Sequence, residues 1–83
     1  MRYLIMSRSL TYAQRAARLL ERSFITAGVI KAPAGLSKNG CAYSVAVSIN
    51  HIEDAVRILK KEGLLHGKVY LQKEDNSVEE VIM

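Results

Sequence analysis

Cys41 is the single cysteine among 83 residues, and no other side chain in the sequence has as much chemistry open to it. It closes the stretch Pro33-Ala34-Gly35-Leu36-Ser37-Lys38-Asn39-Gly40, which its glycines, its proline and its Asn-Gly pair mark as a loop. A thiol reacts as its thiolate. Ser37, Lys38, Asn39 and Gly40 offer backbone N–H groups and one ammonium that would favour that form. A second reading stands beside this one. Cys41 shares strand parity with Tyr43, Val45 and Val47, and free cysteines are among the most buried residues in proteins. Either way, one cysteine excludes an internal disulfide, a CxxC redox pair and a cysteine zinc cluster.

The remaining residues of chemical interest point less sharply. Arg8, Arg15 and Arg22 recur at intervals of seven with Arg18 beside them, a stripe that suits phosphate or an acidic protein and equally suits a solvated helix face. RNA binding on a small α/β sheet uses aromatic residues on the open sheet face, and parity turns Tyr43 the other way. Nucleic acid is therefore not the expected partner. His51 and His66 stand far apart with no ligand set around them, so no metal site is expected. No phosphate loop, dinucleotide fingerprint or Ser/His/Asp triad is present, and no cofactor is expected. Charge is uneven: residues 1–40 carry seven basic side chains and one acid, residues 41–83 five basic and seven acidic. That polarity steers an acidic partner without defining a site.

The elements that must position Cys41 follow from the pattern. Residues 2–7 read as a strand. Thr11-Tyr12-Ala13-Gln14 fits a capping box, and Ala13, Ala16, Ala17, Leu20 and Phe24 form the apolar stripe of a helix that Gly28 would end. Residues 29–32 form a second strand, which Pro33 stops. Residues 41–49 alternate, with Cys41, Tyr43, Val45, Val47 and Ile49 on one face and Ala42, Ser44, Ala46 and Ser48 on the other. Asn50 is the expected cap of a second helix with Ile52, Ala55, Val56 and Leu59 inward and Gly63 at its end. Residues 68–73 form a fourth strand. Beyond Glu74, either Asp75-Asn76 turns a hairpin into a strand over 78–83 or the segment is loosely helical.

The order βαββαβ predicts an α+β, ferredoxin-like domain, with four antiparallel strands, two helices on one face, and room for an extra C-terminal strand. The domain spans 1–83, its core about 2–73, with 74–83 as an extension. The large-residue face of the third strand is expected against the helices, leaving its Ala/Ser face open. With the third strand taken parallel to the first, its start lies where both helices end. Helix C-termini disfavour an anion, so strong acidification of Cys41 is not expected. The longest apolar runs have four or five residues, against the ~20 a membrane crossing needs. The opening hexapeptide is too short to be a signal sequence, so a cytoplasmic setting is expected.

At Pro33, Ser37-Lys38-Asn39-Gly40-Cys41, the opening strand at Tyr3-Leu4-Ile5 and the Ala13, Ala16, Leu20 helix pattern, the chain resembles a family of small bacterial proteins described as selenium/sulfur carrier-like. The resemblance runs over most of residues 2–72. It departs at Ala34 and Ala42, where an arginine and a glycine are usual. The resemblance implies that Cys41 carries a persulfide or selenide between a sulfur- or selenium-mobilising enzyme and an acceptor protein, as a carrier rather than an enzyme. Two other classes compete with it. One is a regulatory or ligand-binding βαββαβ module that dimerises through strand edges. The other is a structural subunit that holds a partner on its Ala/Ser sheet face.

Overall fold

Seven elements follow one another in a computed structural model that describes residues 1–32, 43–65 and 67–82. They are β1 (Arg2–Ser7), α1 (Leu10–Arg22), β2 (Ala27–Lys31), β3 (Tyr43–Val47), α2 (Ile52–Lys61), β4 (Val69–Gln72) and β5 (Val78–Val81). The strands form one antiparallel sheet in the order β2-β3-β1-β4-β5. The chain is therefore α+β, with two helices and five strands among the described residues rather than the four of the expected core. The fifth strand comes from the C-terminal segment, where the hairpin alternative holds.

Register decides which side chains meet. Ile5 lies opposite Val45 on one side and Val69 on the other, and Tyr3 opposite Val47. These residues share the core with Ala13, Ala16, Ala17 and Leu20 of α1 and Ile52, Ala55, Val56 and Leu59 of α2, so both helices cover the same face of the sheet. Three alanines on the inner face of α1 let its backbone approach the strands closely. Leu20 and Leu59, both fully buried, fill the remaining space at about 1.5–3 kcal/mol each.

The opposite face differs from the expectation. Leu4 pairs with Ala46 and Met6 with Ser44 on that side. Leu4, Met6 and Ser44 are 0%, 2% and 0% exposed, and Ala46 is half-buried. The Ala/Ser face of β3 is thus not an open platform. Among the described residues Ser44 Oγ has no hydrogen-bond partner, an unusual state for a buried hydroxyl.

The helix ends depart from the sequence pattern in detail. Ser9, not Thr11, caps α1, its hydroxyl accepting from the Tyr12 N–H at 3.3 Å. Both residue types suit that position, and the extended backbone of Ser9 (φ −149°) decides between them. The helix ends at Arg22, well before Gly28, which sits inside β2. Phe24 takes the left-handed conformation instead (φ 64°), and the Ile25 and Phe24 N–H groups donate to the carbonyls of Leu20 and Glu21. In α2 the cap position is His51 rather than Asn50, with no side-chain cap bond. The Asn50 N–H is taken up by the Ser48 hydroxyl. Gly63 ends α2 as expected, at φ 69°, with Leu64 N–H donating to Leu59 C=O at 2.8 Å.

Candidate functional site

The expected site residues Ser37, Lys38, Asn39, Gly40 and Cys41 lie outside the described residues, as does His66. What can be built is the frame on which the 33–42 connection hangs. It leaves the sheet after β2 and returns at Tyr43, and Lys31 lies directly opposite Tyr43. On its other side Tyr43 lies opposite Ser7, the last residue of β1. Two residues after Ser7, Ser9 opens α1. The connection therefore starts and finishes at the end of the sheet where α1 begins.

This corrects the expected polarity. β3 is antiparallel to β1, not parallel. A βαβ crossover returns its second strand parallel to the first, so β2 runs with β1. The reversal between β2 and β3 then turns β3 against both. The start of β3 accordingly lies by the N-terminus of α1 and the C-terminus of α2, rather than beside two C-termini. The first turn of α1 contains no acidic residue, so its unpaired N–H groups keep their partial positive charge.

The charged side chains at this end reinforce that field. Arg8 follows β1, Lys31 ends β2, Lys60 and Lys61 end α2, and Lys68 precedes β4 with its carbonyl accepting from Met6 N–H. All five are exposed. Against them stand Glu62 and Glu80, the latter paired with Lys68 at 3.3 Å. Among the described residues this end of the sheet thus carries more basic than acidic side chains, which together with the N-terminus of α1 favour an anion there, while the C-terminus of α2 opposes it.

Sequence reasoning missed Gly67 in this region. A Cβ at Gly67 would stand 2.6 Å from the Met6 carbonyl oxygen and 2.9 Å from Met6 Cβ, so only glycine lets the chain pass β1 this closely before entering β4. No motif flags such a position, because the constraint comes from a strand remote in sequence. His51 is exposed at the start of α2, at the opposite end of the sheet. No cluster of three or more His, Cys, Asp or Glu among the described residues could hold a metal ion. No helix among them is long and apolar enough to cross a membrane.

A family model described as "Putative Se/S carrier protein-like" matches residues 2–71. The match runs from the first residue of β1 to the third of β4 and takes in both helices and the 33–42 connection. The chain belongs to this family. No curated protein and no solved structure shows significant similarity to it.

Proposed function

We propose that the protein carries a sulfur or selenium atom on Cys41. The observation that carries this reading is the family match over residues 2–71, a span that contains the chain's single cysteine. The basic end of the sheet supports it, since Tyr43 stands there and two residues of chain reach at most about 7 Å. The reading of the fold as ferredoxin-like, with β5 added outside β4, rests on the β2-β3-β1-β4 order and on both helices covering one face.

The transfer step balances without a further reactant. The Cys41 thiolate attacks the terminal sulfur of a donor cysteine persulfide, a new S–S bond forms on Cys41, and the donor's S–S bond breaks. The donor leaves as its thiolate, and the proton of the terminal sulfur moves with it to Cys41. Delivery to an acceptor repeats the exchange in the other direction. With no second cysteine in the chain, the loaded sulfur cannot be lost to an internal disulfide. The partners in this reading are a sulfur- or selenium-mobilising enzyme and an acceptor protein. The setting is the reducing cytoplasm, where a lone thiol persists.

Loading from a cysteine desulfurase tests the reading by intact-protein mass. Wild type should gain the mass of one sulfur, reversible by a reductant, and Cys41→Ala should gain none. If Cys41 in the folded protein resists thiol-labelling reagents, the carrier reading fails. A metabolite-dependent rise in melting temperature that survives Cys41→Ala would point to a ligand-binding module instead.

A further inference from the structure

We propose that the exposed side of α1, from Arg15 to Phe24, is a docking surface for an acidic, leucine-bearing segment of a partner protein. Arg15, Arg18 and Arg22 line a shallow groove of about 310 Å³ between α1 and the end of α2, together with Leu19, Leu64 and a single carboxylate, Glu62. Like charges at spacings of three, four and seven weaken a helix. Among the described residues no carboxylate pairs with any of the three arginines, and only Arg15 has an aromatic neighbour, the Tyr12 ring at 6.0 Å. Of the described residues, Glu62 is the one carboxylate lining the groove and it forms no ion pair with them, so three like charges are offset by at most one.

Phe24 is the second, independent observation. It lies two residues beyond Arg22, is 95% exposed, and holds a left-handed backbone at the helix end, where glycine or asparagine is the unstrained choice. A ring this exposed, on a backbone it strains, brings the monomer little. Aromatic residues and arginine are the types that protein interfaces concentrate.

The chemistry selects the occupant. Three guanidinium groups ask for carboxylates, Leu19 and Leu64 in the groove ask for aliphatic side chains between them, and Phe24, two residues beyond Arg22, adds an exposed apolar ring. A nucleic acid strand would stack successive bases on a row of open rings, but among the described residues Phe24 is the one ring standing almost fully free, Tyr12 lies under Arg15, and Tyr3 and Tyr43 are half-buried. A lipid surface would need an apolar helix face, but that face of α1 is buried in the core. Within the carrier reading this partner is the donor or the acceptor. The surface itself does not involve Cys41, so the two ideas fail separately.

Titrating the ¹⁵N-labelled chain with a short peptide of alternating glutamate and leucine tests the proposal. Amide shifts should concentrate in residues 15–24 and 62–64, and Arg18→Glu with Arg22→Glu should weaken binding by about tenfold or more. Phe24→Gly, which relieves the backbone, should weaken it several-fold, while Cys41→Ser should leave it unchanged. The proposal is overturned if charge reversal leaves the affinity within about twofold or if the shifts fall elsewhere. It is also overturned if oligouridylate or phosphatidylglycerol vesicles bind this face more tightly than the peptide.

Discussion

At the scale of single residues, Phe24 sets apart what the fold wants from what the surface carries. An L-residue in the left-handed region costs roughly 1–2 kcal/mol against the right-handed one, and this ring recovers little of that by burial, being 95% exposed. Glycine removes the strain but adds about 0.5–1 kcal/mol of unfolded-state entropy. Phe24→Gly should therefore stabilise the domain by up to about 1 kcal/mol, read as a melting temperature higher by up to about 4–8 °C for a domain of this size. A lower melting temperature would mean the ring supports the fold. The same residue shows why helix ends were only partly legible. Gly63 obeyed the glycine signal, whereas at the end of α1 that signal pointed to Gly28, four residues too late. Gly28 has open space where a side chain would stand and no positive φ, so it answers no local demand.

At the scale of elements, the β4–β5 hairpin is where local chemistry specified structure most directly. Asp75 Oδ1 accepts from the Ser77 N–H at 3.0 Å and from the Ser77 hydroxyl at 2.6 Å, while Asn76 takes the left-handed position (φ 68°) that asparagine tolerates. The Ser77 hydroxyl, then its N–H, hold the Asp75 carboxyl below its ordinary value, with Lys73 adding a smaller pull. Because the folded-state value is depressed, this support is complete above the ordinary carboxylate range and is lost as pH falls through the folded value. The Ser77 and Val78 amide shifts should accordingly move toward disordered values on acidification. Asp75→Asn, which keeps an acceptor but cannot titrate, should flatten that response. An identical pH response in both proteins would put the titration elsewhere. The strand and helix types were readable here and in the core for the same reason: alternation and helical spacing act within a few residues. The direction of β3 was a question of topology, and it set the start of β3 beside the N-terminus of α1 and the C-terminus of α2 rather than beside two C-termini.

At the scale of the molecule, the sheet has two outer strands, β2 and β5, and β5 lies beyond the family-matched span. Its middle residues are Glu79 and Glu80, which pair with Lys73 at 3.1 Å and Lys68 at 3.3 Å. Exposed pairs of this kind add little stability. Their effect is on association, because charge on an outer strand discourages another chain from adding to it. The strand beneath, Val69-Tyr70-Leu71-Gln72, carries no charge at all. Its pairing with β1, and the core contacts of Val69, do not require β5. A chain ending at Lys73 should therefore keep its helices and its cooperative melt while presenting a bare, uncharged edge. We expect it to self-associate more strongly than the full chain, with a sedimentation coefficient that rises with concentration and depends only weakly on salt. Introducing Tyr70→Lys in the shortened chain should return it toward the behaviour of the full one. If the shortened chain sediments like the full chain at every concentration, β5 is not an edge guard. If it unfolds, β5 is a structural part of the sheet.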